Sequence, residues 1–162
     1  MLTKKVEEIC NRQIEREGYS SNLYLAMASW AETKGMAGIA AWLYAQADEE
    51  RAHMLKFIKY VNERGGSAII PEFKKPPVKY KGIPELFAEV LKHEKFITAS
   101  INEVLETAIS EKDHATSNWI QWFVKEQVEE ESSAQLILDK ISLAGEHGIY
   151  FLDRDIMNLR GK

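Results

Sequence analysis

The sequence predicts an all-α protein: a four-helix bundle with one long crossover and a short fifth helix at the C-terminus. Three observations carry that prediction. Proline and glycine punctuate the chain in only a few places, leaving four stretches of helix-forming residues, each about 28 residues or about 42 Å long. The breaks between the first and second stretches, and between the third and fourth, are very short, which forces antiparallel neighbours. The remaining break is long and holds Pro71, Pro76 and Pro77, which remove backbone donors and favour an extended path.

Taken in order, Thr3 is placed to cap a first helix that runs to about Thr33, where Lys34-Gly35 interrupts it. A second helix is expected from about Met36 to Arg64, stopping at Gly65-Gly66. The segment Ser67 to Gly82 is irregular; a connection of about 17 residues can reach about 55 Å. That is enough to run the length of the bundle and make the second and third helices parallel. Pro84 suits the first turn of a third helix ending near Ser110, and Asp113 can cap a fourth running to about Ala144. Gly145 and Gly148 should then break the chain before a fifth helix over about Ile149–Leu159.

At 162 residues the chain suits a single domain, 1–162, able to bury a core without staples. Cys10 is the only cysteine, so no intramolecular disulfide and no Cys-x-x-Cys site can form. The formal charge of -4, from 25 acids and 21 bases, argues against nucleic acid as a partner, because phosphate contacts need a basic surface. The charged N-terminal stretch lacks the apolar core of a secretory signal, and no apolar run is long enough to span a membrane. A cytoplasmic protein with no membrane partner is expected.

The functional signal lies on the core-facing stripes, where side chains seven apart share a helix face. The first helix gives Cys10, Glu17, Tyr24, Ala31, and the second gives Leu43, Glu50, Phe57. The third gives Phe87, Glu94, Ile101, Ala108. The fourth gives Ile120, Gln127, Ala134, Ile141 beside Phe123, Glu130, Ile137, Ala144. Each stripe is apolar and is interrupted near its centre by a carboxylate or an amide. Glu17, Glu50, Glu94, Gln127 and Glu130 should therefore form one polar layer across the core. Buried carboxylates need a counter-charge, and no Lys or Arg lies on these stripes. His53 follows Glu50 by three residues, so both can reach one ion. Oxygen ligands with one imidazole suit iron or manganese. Glu126, Glu129 and Glu130 also cluster on one face of the fourth helix.

Several segments resemble bacterial non-haem ferritins over essentially the whole chain. They are Tyr19-Ser20-Ser21-Asn22-Leu23-Tyr24 after Glu17, Asp48-Glu49-Glu50-Arg51-Ala52-His53, Gln121-Trp122-Phe123-Val124-Lys125-Glu126-Gln127 with Glu129-Glu130-Glu131, and Leu143-Ala144-Gly145. The resemblance implies a ferritin-like fold and a di-iron ferroxidase site. Glu17, Glu50 and His53 would hold the first iron; Glu50 would bridge to a second held with Glu94 and Glu130, with Gln127 close by. Glu49, Glu126 and Glu129, joined by Glu130, would form a third iron site. Tyr24 and Trp122 would flank the iron as candidate electron donors. The implied reaction oxidises paired ferrous ions with dioxygen or peroxide and stores ferric mineral inside a homo-oligomeric shell of twenty-four subunits.

Related families fit less well. A rubrerythrin-like di-iron oxidase or peroxidase, the main alternative, carries a second Glu-x-x-His, but here that place reads Gln127-Val128-Glu129-Glu130. In haem-binding bacterioferritins a Met follows the bridging Glu, whereas Arg51 stands there, so no haem is expected. DNA-binding mini-ferritins keep their metal site between subunits and lack a fifth helix. His93 and His114 show no partner pattern, and His147 is expected on the surface. On the fifth helix Ile149, Leu152, Ile156 and Leu159 form an apolar stripe expected to be an assembly contact.

Overall fold

The computed structural model describes residues 1–160. It is built from helices α1 (Lys4–Thr33), α2 (Ala37–Glu63), α3 (Ile83–Ser110), α4 (His114–Trp119) and α5 (Gln121–Asp155), followed by a 3-10 turn, Ile156–Leu159. There is no strand among the described residues. Thr3 caps α1 by accepting from the Val6 N–H at 3.4 Å, and Asp113 caps α4 by accepting from the Thr116 N–H at 3.0 Å. Pro84 occupies the first turn of α3.

Cross-helix contacts fix the directions. Lys5 near the start of α1 pairs with Glu111 just past the end of α3 at 2.8 Å, and Arg16 pairs with Glu103 at 3.0 Å, so α1 and α3 run antiparallel. Arg64 after α2 donates to both oxygens of Asp113 before α4 at 3.1 Å, and Gln46 of α2 reaches Glu130 of α5. The second helix is thus antiparallel to the fourth stretch and parallel to α3.

The crossover that makes this possible lies along α1. Asn11 bonds the Ser67 carbonyl at 3.0 Å and the Ile69 N–H at 2.7 Å. Further on, Phe73 packs over Gly18, and the Tyr80 ring lies 5.5 Å from that of Trp30. The expected stretch of extended chain therefore traverses the bundle from one end to the other.

Two differences from the sequence-based expectation stand out. The fourth helix is interrupted by one residue at Ile120, yet helical bonds pass through it: Ile120 N–H to Thr116 O at 3.0 Å and Val124 N–H to Ile120 O at 3.1 Å. At the C-terminus only Gly145 breaks the helix, with φ 62° and ψ -174°, and Gly148 is helical. That backbone conformation is open essentially to glycine alone, and it turns the last segment back onto the bundle.

The apolar stripe of this segment is consequently not a free surface. Leu152 and Ile156 are buried, and Ile149 and Leu159 pack against the same core. The expectation that this stripe contacts other subunits is overturned: the bend at Gly145 aims it at the chain's own α2. The side left outside carries Tyr150, Phe151 and Met157, all exposed. The seam with α2 is close. Asp153 caps the otherwise uncapped start of α2 by accepting from the Ile39 N–H at 2.8 Å. A Cβ on Gly38 would lie 1.7 Å from the Asp153 carbonyl oxygen.

Gly38→Ala should therefore push the C-terminal segment off α2. Since the clash is with backbone, a cost of about 1–3 kcal/mol is expected. Thermal unfolding of this variant beside Gly35→Ala, where a Cβ meets nothing within 4 Å but φ is positive, separates clash from backbone strain. A Gly38→Ala protein as stable as the parent would contradict the close seam.

Candidate metal centre

The polar residues predicted from the stripes meet at mid-bundle. Glu17, Glu50, Glu94, Gln127, Glu130 and His53 are all buried. They divide the apolar interior into two clusters. One is built around Tyr24, Leu43, Phe87 and Ile137; the other around Ile14, Phe57, Ile101 and Phe123.

Each carboxylate is held differently. Gln13 donates to Glu17 Oε1 at 2.7 Å, and Ser100 donates to the Gln13 carbonyl at 2.5 Å. Tyr24 donates its hydroxyl to Glu94 Oε1, and Gln127 donates to Glu94 Oε2 at 3.2 Å. Gln46 donates to Glu130 Oε2 at 2.8 Å. Glu17 Oε2 and both oxygens of Glu50 have no partner although buried. His53 Nδ1 is 3.8 Å from Glu17 Oε2 and 3.7 Å from Glu50 Oε2. One ligand atom each from Glu17, Glu50 and His53 can be chosen so that all lie within 4.8 Å of one another. Unpaired buried carboxylate oxygens are costly. A cation among them removes that cost, so this donor set fits a hard divalent ion.

The electrostatics agree. Burial, then repulsion from Glu50, pushes the Glu17 carboxyl well above the usual carboxylate range. Burial and the charge of Glu94 do the same to Glu50. Glu94 is raised by burial, against the pull of its Tyr24 and Gln127 hydrogen bonds. Glu130 is pushed up to about 8 by burial and by Glu94. Burial beside Glu94 holds the Tyr24 phenol well above its ordinary value, so Tyr24 acts as a donor.

Glu49, Glu126 and Glu129 lie beside this layer, around a cavity of about 120 Å³ that Glu130 also lines. Trp122 is half-exposed at the edge, with its ring 5.5 Å from His53 and the Lys56 ammonium 2.9 Å over its face. His93 belongs to the packing instead: it shares a 2.7 Å hydrogen bond with Ser20, and burial lowers it to about 4. His114 and His147 are exposed. Burial holds the Cys10 thiol up at about 12.

Sequence reasoning missed the residues that hold the acids. Gln13 and Gln46 each lie four residues before a predicted ligand, Glu17 and Glu50, a spacing that could have marked Gln13. Ser100, which holds Gln13, gave no such signal.

A bundle with acids and one histidine converging at mid-core defines a carboxylate-type metal-binding four-helix protein. Comparison with known proteins narrows the class. Residues 7–144 match the Ferritin family, described as a ferritin-like domain. The bacterial non-heme ferritin of Campylobacter jejuni is 42% identical, covering 98% of this chain and 96% of the relative. That of Escherichia coli O157:H7 is 39% identical, covering 98% of each. A structure described as a novel open pore ferritin from Archaeoglobus fulgidus superposes with a TM-score of 0.94 at 41% identity, covering 96% of each chain. The chain belongs to the ferritin family. Among the described residues no helix is long and apolar enough to cross a membrane.

The raised carboxyls predict a pH dependence. A carboxyl raised above its unfolded value of about 4.3 stabilises the fold at low pH, and that contribution is lost as pH rises through the folded value. The metal-free protein should lose stability from about pH 5 to pH 8, by at most about 1.4 kcal/mol per pH unit per titrating carboxyl. Denaturant unfolding of metal-free protein and of Glu130→Gln across this range provides the test. The variant should show the shallower decline, and parallel curves would exclude Glu130 as a source.

Proposed function

We propose that this protein stores iron and oxidises it on entry, taking ferrous ions at the buried layer and keeping the ferric product as mineral inside a homo-oligomeric shell. The observation that carries this reading is the set of three buried, unpartnered carboxylate oxygens on Glu17 and Glu50 beside His53. The family and the names of the relatives supply the identity of the ion.

In this reading Glu17, Glu50 and His53 take the first ferrous ion. Glu94 and Glu130 take the second, with Gln127 beside it. Glu50 bridges the two, a role suited to the one carboxylate with neither oxygen engaged. Gln13, Tyr24 and Gln46 fix the acids before iron arrives, which limits reorganisation on binding. Each ferrous ion gives up one electron. Dioxygen takes the pair with two protons to give hydrogen peroxide, or peroxide takes it with two protons to give water. The chain supplies positions and negative charge; the electrons come from the substrate. Tyr24, buried against Glu94, and Trp122, beside His53 at the edge, flank the site. Glu49, Glu126 and Glu129, with Glu130, form a third iron position that tunes how iron leaves the pair.

The shell explains how a small subunit could store more iron than its own ligands bind, and closed symmetry is the usual route to such a particle. We place twenty-four subunits in it, and assign contact between copies to the exposed side of the C-terminal segment, at Tyr150 and Phe151.

Glu50→Ala and His53→Ala should each slow the initial rate of iron oxidation, measured by absorbance after air is admitted to anaerobically loaded protein. The Glu50 variant should lose at least about ten-fold, as expected when a directly coordinating group is removed. Unchanged rates in both would remove the site. Glu126→Ala combined with Glu129→Ala should change the stoichiometry or turnover of iron while preserving a fast first phase. If that phase disappears, the two clusters do not divide the work as proposed.

A further inference from the structure

The acids around the smaller cavity already have a cation. Arg160, beyond the last helical turn, lays its guanidinium along one face of α2. It donates to the Trp42 carbonyl at 3.2 Å and to Gln46 Oε1 at 2.7 Å, and it pairs with Glu49 through its other terminal nitrogen. Its carbon lies 5.8 Å over the Trp42 ring. The side chain is 17% exposed, and it lines the same cavity as Glu49, Glu126, Glu129 and Glu130.

The chemistry of these bonds links the two acid groups. A guanidinium only donates, so Gln46 must present its carbonyl to Arg160. Its amide nitrogen then points the other way, where it donates to Glu130 Oε2 at 2.8 Å. Arg160 thus neutralises Glu49 directly and sets the orientation of Glu130 through Gln46. Glu130 is the carboxylate shared by both proposed iron positions.

We propose that Arg160 is a resident counter-cation of the Glu49–Glu126–Glu129–Glu130 cluster, which a divalent ion must displace from Glu49 in order to bind there. This rests on the third iron position proposed above. Arg160 acts through Glu49 and Gln46 and is therefore a positioning and selectivity residue. Its competition keeps the cluster weaker for metal than the Glu17–Glu50–His53 site, so that the inner pair fills first.

The test is anaerobic calorimetric titration of the assembled, metal-stripped protein with Zn(II), which is redox-inert. Glu126→Ala with Glu129→Ala identifies the binding event that belongs to the cluster, as the one it abolishes. Arg160→Gln should tighten that event by about ten-fold or more, as removing a nearby like charge requires, and leave the Glu17–Glu50–His53 event, which does not use Glu130, unchanged. Arg160→Lys keeps the charge and should stay close to the parent. A purely structural Arg160 would lower thermal stability in its variants without moving the Zn(II) affinity. Equal cluster affinity in the parent and Arg160→Gln overturns the proposal. If the double Glu variant abolishes no Zn(II) event, the third position itself is lost, and its failure is thereby told apart from that of Arg160 alone.

Discussion

A layer of buried carboxylates through the middle of the core is the constraint on which the rest of this structure depends. Four acids with no Lys or Arg in the layer carry a large desolvation cost. The surrounding helices are organised around limiting it. Gln13, Tyr24, Gln127 and Gln46 each satisfy part of an acid's hydrogen-bonding capacity, and Ser100 holds Gln13. What they leave open is confined to Glu17 and Glu50, the acids nearest His53. Binding potential is thus concentrated by satisfying everything around it.

The apolar clusters on either side of the layer give the bundle the stability to hold it. Ile14, Phe57, Ile101 and Phe123 close one half; Leu43, Phe87, Ile137 and Ile156 close the other. Each of the four long helices contributes to both halves, so a shift of any one of them would move a layer residue out of place and expose apolar surface at once. The crossover strengthens this arrangement by tying to α1 at Asn11 and packing over Gly18.

The C-terminal segment joins the fold to the site. Bent at Gly145, it caps α2 through Asp153 and reaches the acid cavity through Arg160. An element that sequence patterning marks as an appendage therefore contributes both to the core and to the charge balance near the acids. Its burial also reassigns which residues remain for contact with other molecules, from the Ile149–Leu159 stripe to Tyr150 and Phe151.

Most of the fold was legible in the sequence because it is written in local rules: the Thr3 and Asp113 caps, Pro84 at a helix start, the glycines at helix ends and the seven-residue spacing of core positions. The acids were legible for the same reason, since a Glu on an apolar stripe violates a periodic pattern that can be counted. What tertiary structure alone decided depends on contacts between distant segments. Whether the last apolar stripe faced inward followed from the backbone angle at Gly145, which no periodicity encodes. That Arg160 would reach Glu49, 111 positions away in the chain, depended on that same bend and on the close approach at Gly38. Local spacing can place a charge on a helix face, but only the folded chain determines which opposite charge comes to meet it.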